Sequence, residues 1–280
     1  MPKSSKKWIY IILGGLVCAN VIAFSVLLSL AKEKYLEITF FDVGQGDSIF
    51  IQAPKGQQIL IDGGPTSAVI SKLGKEMPFY DRSLDLVILS HPEKDHLAGL
   101  LDVLERYKVD NVLWTGVVRD TAEWKEWNNL IKKEGANIQI AQAGERIIIS
   151  DNPFVYIDVL FPFEDLSNKT FEDSNDTSIV ARLVFEKDSF LFTGDISRKT
   201  ELELIKNSDL KSEVLKVAHH GSKYSSSLEF LKEVLPKIAV IEVGKDNTYG
   251  HPTPEVLARL KDFGIEVLRT DADGDIKIKK

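Results

Sequence analysis

Cysteine is nearly absent from this chain, with one residue, Cys18, in 280. That excludes a disulfide framework and a cysteine-built zinc module, and it leaves Cys18 without a disulfide partner. An excess of positive charge is missing as well. Lys and Arg number 35 against 42 Asp and Glu, a formal net charge of −7, which argues against a broad, sequence-independent grip on nucleic acid. Any such contact would need a local basic patch, and the lysines between Lys206 and Lys237 are the candidate for one. There is no proline- or serine-rich linker, low-complexity tract or internal repeat to cut the chain. Its 44% hydrophobic residues are therefore expected in one large core. Histidine is scarce too, with five residues, and their placement is far from scattered.

Charge is also missing from Trp8 to Leu30, about 23 residues and enough to cross a hydrocarbon core of roughly 30 Å. Lys3, Lys6 and Lys7 precede the run, which places them in the cytoplasm and everything after Lys32 outside. Residues 1–34 thus read as a basic N-terminus and an uncleaved anchor in the cytoplasmic membrane, and 35–280 as an extracytoplasmic domain. The alternative is a secretory signal cleaved near Ser29-Leu30-Ala31, with the domain then secreted.

Past the anchor, Leu36–Phe41, Ser48–Gln52 and Gln58–Ile61 read as strands joined by glycine-containing turns, and Leu97–Tyr107 reads as a helix. Ala122–Glu134 is a second helix, with Trp124, Trp127, Leu130 and Ile131 on one face and Gly135 at its end; that face suits the core better than a base-stacking platform. Strand pairs follow around Ile138–Ile149, Val155–Phe161, and Ile179–Phe185 with Ser189–Thr193. Helices (Arg198–Lys206, Ser226–Val234, Pro254–Phe263) then alternate with strands (Val214–Val217, Ile238–Val243, Ile265–Leu268). The Lys277–Lys280 tail reads as a solvated strand end. This order predicts sheets covered by outer helices.

All five histidines sit just past strand-like segments. His91-Pro92-Glu93-Lys94-Asp95-His96 crowds two imidazoles and two carboxylates into six residues after Leu84–Ser90, which is a metal site by composition and spacing. His219 and His220 follow Val214–Ala218, and His251 follows Val240–Gly244. Asp42, Asp62 and Asp195 end other strands beside glycines that let the backbone turn and a ligand approach.

Asp62-Gly63-Gly64, then His91-x-x-x-Asp95-His96, then Thr193-Gly194-Asp195, then a late histidine, resembles the metallo-β-lactamase superfamily. The match is best to the ComEC-type DNA-uptake (competence) branch. It is carried by Asp42-Val43-Gly44-Gln45-Gly46-Asp47, Ser90–Leu100, Asn175-Asp176-Thr177-Ser178, His219-His220-Gly221-Ser222 and Gly250-His251-Pro252. The resemblance runs from about Leu36 to the C-terminus. It implies an α+β fold, a four-layer αββα sandwich of two mixed sheets with outer helices, and hydrolysis by a metal-bound hydroxide. It implies one or two divalent ions, Zn or Mn with Mg as a further choice. His91 would ligate the first ion, Asp95 and His96 the second, and Asp195 both. His219 or His220 would complete the second site, with His219 favoured because it continues the strand most directly.

Two departures stand out. Glu93 replaces the superfamily's usual middle histidine, and Asn175–Ser178 stands where another histidine is usual. Oxygen ligation by Glu93 and Asp176 would then favour Mn²⁺ or Mg²⁺, with a single-ion site as the alternative. Asp42, Asp62 and Asp176 are candidates to orient ligands from behind, Asp42 equally a turn residue. Asn175, Ser178, Ser222, Lys223 and Asn247 are candidate phosphate contacts, and His251 either caps a helix or donates to the leaving oxygen. Three functions compete: a phosphodiesterase or nuclease acting on DNA, with competence-machinery proteins as partners; a hydrolase of lactams, lactones or thioesters; and a non-catalytic binding domain.

Overall fold

The computed structural model describes residues 3–31 and 35–280, with side chains described for 7–24 and 35–280. By its contacts the chain divides into two units, Met1–Tyr35 and Leu36–Lys280. The first holds one helix, α1 (Lys3–Ala31), whose window Lys7–Phe24 has mean hydropathy 1.8 and is nowhere buried. It is long and apolar enough to cross a membrane, a test that a signal segment also passes. The side chains of Ser29-Leu30-Ala31, and Lys32 altogether, lie outside the described residues.

The second unit begins with β1 (Glu37–Phe40), β2 (Ile49–Gln52), β3 (Gln58–Ile61), α2 (Ala68–Glu76), β4 (Ser83–Ile88), α3 (Lys94–Arg106), β5 (Lys108–Trp114), α4 (Ala122–Glu134) and β6 (Asn137–Ile140). Its other half holds β7 (Arg146–Asp151), β8 (Phe154–Phe161), β9 (Val180–Phe185), β10 (Asp188–Phe192), α5 (Arg198–Asn207), β11 (Val214–Lys216), α6 (Leu228–Val234), β12 (Ile238–Ile241), α7 (Pro254–Asp262), β13 (Glu266–Arg269), α8 (Thr270–Asp273) and β14 (Ile276–Lys279). Two seven-stranded sheets result, ordered β14-β1-β2-β3-β4-β5-β6 and β13-β12-β11-β10-β9-β8-β7. Each is antiparallel on one side and parallel on the other, the parallel halves being β3 to β6 and β10 to β13.

Strand periodicity builds the layers. Ile59 and Ile61 of β3 face the space between the sheets, while Leu60 faces the helical layer with Val69, Leu73 and Leu97. In β12, Val240 faces inward, and Ala239 and Ile241 pack outward with Phe230, Leu231 and Val256. Both faces of both sheets are covered, so each strand is apolar on alternate positions toward two different layers. Each such side chain gains roughly 1.5–3 kcal/mol on burial, which holds the register because a one-residue slip would exchange the layers.

The expected αββα architecture is present, with differences in detail. Ile138 and Ile149 do not belong to one strand pair: β6 pairs in parallel with β5 in the first sheet, whereas β7 pairs with β8 in the second, so the chain changes sheets between them. α2, β5 and α8 add elements that the sequence pattern did not single out. The C-terminal tail is a sheet strand, with Ile278 opposite Ile38 and Lys277 and Lys279 paired to Glu37. Trp127 is fully buried in the helical layer, and the Trp124 indole donates to the Val117 carbonyl.

Candidate metal centre

The centre lies on one edge of the sandwich, where loops leave the parallel strands. Asp62 follows β3, His91 follows β4, Asp195 follows β10, Lys216 ends β11 and Glu242 follows β12. The first turn of α3 supplies Asp95 and His96. That helix start lies tight against the Asp62-Gly63-Gly64 turn, because the Gly63 amide donates to the His96 carbonyl at 2.8 Å and the Gly99 amide to the Gly64 carbonyl at 2.9 Å. A Cβ on Gly99 would come within 1.9 Å of the Gly63 oxygen, so only glycine permits the approach.

Asp95, His96, Asp195 and His220 each present one ligand atom within 4.8 Å of the others. His96 Nε2 lies 3.4 Å from Asp195 Oδ2, and His220 Nε2 lies 3.3 Å from both Asp95 Oδ2 and Asp195 Oδ2. Each imidazole is aimed from behind. His96 Nδ1 donates to Asp62 Oδ2 at 2.8 Å, and His220 Nδ1 to the Glu242 carbonyl at 2.8 Å, which turns both Nε2 atoms toward the carboxylates. Asp62, His219 and His220 have positive φ of 57°, 51° and 51°, a conformation that non-glycine residues adopt rarely and that gathers at functional sites.

Charge in this centre is unbalanced in a telling way. Burial disfavours a charged His96, yet Asp195, Asp47, Asp62 and Asp95 hold its imidazole well above the usual range. Against the same burial penalty, Asp195, Asp47 and Asp95 push His220 up to about 10. Burial likewise opposes ionisation of Asp195, but His220, His96 and Lys216 keep it well below the usual carboxylate range. Imidazoles that retain protons among carboxylates mark a place that favours positive charge, and a divalent cation would supply it in their stead. His91 differs. Burial, reinforced by His96, pushes it down to about 3, so it is neutral. The Ser90 hydroxyl donates to Asp62 Oδ2 at 2.6 Å, so it accepts from His91 Nδ1 at 3.0 Å, which leaves His91 Nε2 as a buried lone pair without a partner. Two imidazole nitrogens, two carboxylates and this unpartnered lone pair suit a borderline divalent metal.

The remaining expected residues fall into three groups. His219 is half-buried with its ring 5.8 Å from that of His251, so His220 rather than the favoured His219 joins the four-residue group; the left-handed turn after β11 carries His219 aside. Glu93 lines the cleft, but its carboxylate pairs with Arg119 at 2.8 Å and accepts from the Ser174 hydroxyl. Asp176 accepts from the Ser197 amide and hydroxyl and from Thr200 at the start of α5, 2.8 to 2.9 Å away. An oxygen-rich site built on Glu93 and Asp176 is therefore not assembled. Asp42 closes a turn, accepting from the Gly44 amide at 3.4 Å. Ser178 is fully buried and accepts from the Asp195 amide at 3.0 Å, which places it behind the centre. Ser222 is buried, Lys223 is exposed with its ammonium 5.2 Å from the Tyr224 ring, and Asn175 lines the cleft. Both ends of the Asn247 side chain are used within its own loop, accepting from the His251 amide and donating to the His251 and Gly244 carbonyls.

Three buried charged groups were not singled out from sequence. Lys216 is 1% exposed and bridges Asp47 to Asp195, with its ammonium 3.5 Å from Asp195 Oδ1 and 3.0 Å from the Gly194 carbonyl. Glu242 lies behind, accepting from the Ser48 amide at 2.8 Å. Burial, with Asp47 nearby, pushes Glu242 well above the usual carboxylate range. Their signal was present: each of Lys216 and Glu242 interrupts an apolar strand, where a charge is tolerated only with a partner. Above the centre opens a cleft of about 270 Å³ lined by Glu93, Asp95, Asp195, His219, His220 and Tyr249 among others.

Comparison with known proteins identifies the family. The metallo-beta-lactamase superfamily model matches residues 41–244, and the chain belongs to that superfamily. Its relatives place it in the competence branch. It is 32% identical to ComE operon protein 3 of Bacillus subtilis, covering 95% of this chain and 35% of that protein. It is 30% identical to competence protein ComA of Neisseria gonorrhoeae, covering 97% and 35%. The chain thus spans about a third of the length of these relatives. Among solved structures, a metallo hydrolase from Ignicoccus hospitalis shares the fold with a TM-score of 0.54 at 16% identity, over 87% of this chain and 98% of that one.

Proposed function

We propose that this chain is a metal-dependent phosphodiesterase acting on DNA, held at the outer face of a membrane by α1, with one divalent ion bound by Asp95, His96, Asp195 and His220. The observation that carries the reading is the convergence of those four side chains, with Asp95, Asp195 and His220 lining an open cleft and His96 buried beneath it. DNA as the substrate comes from the resemblance to the ComEC-type DNA-uptake branch, and the competence relatives support competence proteins as partners.

A bound divalent ion would supply Lewis acidity and acidify a water toward neutrality. The chain's own side chains do the rest. Asp62 and the Glu242 carbonyl fix the two imidazoles, and the Ser178 hydroxyl, accepting from the Asp195 amide, fixes the loop that carries that carboxylate. Asp95, Glu172, Asp173 and Asp195 make the cleft acidic, so a phosphate enters only after a cation has bound. His251 faces the cleft with Nδ1 unpartnered, and burial and the nearby His219 and His220 keep its pKa low. An entering phosphate would raise that pKa and let His251 pass a proton to the leaving oxygen. The reading as a hydrolase of small carbonyl substrates has no observation of its own in favour.

The test uses the full chain in detergent, stripped of metal and reloaded with Mn²⁺, Mg²⁺ or Zn²⁺. We expect metal-dependent cleavage of labelled DNA that Asp95→Ala abolishes while the fold, read by circular dichroism, is retained. A protein that takes up metal yet cuts no DNA under any of the three ions would sink the proposal.

A further inference from the structure

Beyond the metal centre, one wall of the cleft is made of rings. From His220 the row runs to His219, to His251 and to Tyr249, with successive centroids 6.2, 5.8 and 6.0 Å apart. The first two contacts are edge-on. The last is parallel, the Tyr249 and His251 planes lying within 12° of each other. Tyr249 ends the row, 71% exposed, and lines the cleft. The loop that carries it is held by the three Asn247 hydrogen bonds to His251 and Gly244, so the ring stands on a fixed support. The lining also carries the carboxylates of Glu172 and Asp173. The Tyr249 ring is thus flat, supported and largely open to water, at one end of a line that begins at a ligand imidazole.

We propose that Tyr249 is a stacking shelf for an unpaired nucleobase, and that the substrate of this centre is accordingly single-stranded nucleic acid. The inference rests on the phosphodiesterase reading and deepens it. A base on the outer face of Tyr249 continues the parallel stack, and its strand then runs along the row of rings toward the centre. Base–aromatic stacking is tolerant of sequence, because every base has a π-face. Away from its ends, a duplex keeps those faces inside its own stack and cannot offer one without unpairing. The carboxylates of Glu172 and Asp173 repel the backbone, which favours a path along the rings.

The experiment compares wild type, Tyr249→Ala and Tyr249→Phe as full chains loaded with Mn²⁺. The substrates are a single-stranded oligonucleotide, its blunt duplex, and an oligonucleotide of the same length built of abasic tetrahydrofuran residues. We expect wild type to cut the single strand faster than the duplex. Tyr249→Ala should raise KM for the base-bearing single strand by about tenfold with kcat little changed. Tyr249→Phe should keep wild-type values, and the abasic substrate should not distinguish the three proteins. Equal KM for wild type and Tyr249→Ala on the single strand overturns the shelf alone, as does an equal loss on the abasic strand. A wild type that cuts none of the three substrates overturns the phosphodiesterase reading, and the shelf with it.

Discussion

Two poles of carboxylates, one gathered on Asp95 and Asp195 and the other Glu93 and Asp176, differ in what they are already bonded to. At one, Asp95 and Asp195 meet the Nε2 atoms of His96 and His220, whose other nitrogens are committed elsewhere. At the other, Glu93 is taken by Arg119 and Ser174, and Asp176 by Ser197 and Thr200. Both poles contain the acids that a metal-site motif would place there. Only the first sets its carboxylates against imidazole nitrogens that could hold an ion with them. A carboxylate's fitness as a ligand is set by the donors that the fold has already supplied to it, because a cation must displace those donors at a cost comparable to what it gains.

The largest test of this contrast is at Lys216, the one side-chain ammonium inside the first pole among the described residues. Lys216→Met removes the charge that Asp47 and Asp195 share. Breaking a buried pair of this kind costs roughly 3–5 kcal/mol. We expect that loss in denaturant melts run with a chelator, and a clearly smaller loss with Mn²⁺ present, since the ion takes over the neutralisation of Asp195. An identical loss in both conditions would mean that the pole does not bind the ion. A subtler test reverses the second pole. Arg119→Ala frees Glu93, so elemental analysis should find two Mn²⁺ per chain where wild type holds one, with His91 Nε2 as the waiting partner. If the content stays at one, Arg119 is not what keeps that pole empty of metal.

Much of this was legible from sequence, and the failures have physical reasons. Strand-length apolar runs alternating with helix signals predict sheets covered by outer helices, and the four-layer αββα order is what the family resemblance adds. β5 escaped because Asp110 and Asn111 interrupt its apolar run, and α2 because only Val69 and Leu73 of its nine residues are buried. β14 was read as solvated because its lysines alternate with Ile276 and Ile278; the isoleucines carry the burial, and Lys277 and Lys279 reach acids on the neighbouring strand and helix. At the centre, dense local clusters such as His91–His96 announce themselves. What spacing does not reveal is direction. His219 and His220 are adjacent, and a left-handed backbone decides which one turns inward. Asp47 and Lys216 are 169 positions apart in sequence, yet they form one ion pair.

The smallest test concerns Asp176, where a ligand role and a structural role predict different readouts. Its carboxylate sits at the first turn of α5, accepting from the Ser197 amide and hydroxyl and from the Thr200 hydroxyl. A negative charge there also complements the helix dipole. Asp176→Asn keeps one acceptor oxygen of similar shape and loses the charge and the second acceptor, a change of about 1 kcal/mol. We therefore expect the urea midpoint to fall modestly with an unchanged m value, while Mn²⁺ content and affinity stay at wild-type levels. A ligand would behave the other way: its amide variant would weaken the metal by at least about tenfold and leave the metal-free melt almost untouched. With every bond to Asp176 in the structure coming from α5 or its cap, the stability readout is the one that should move.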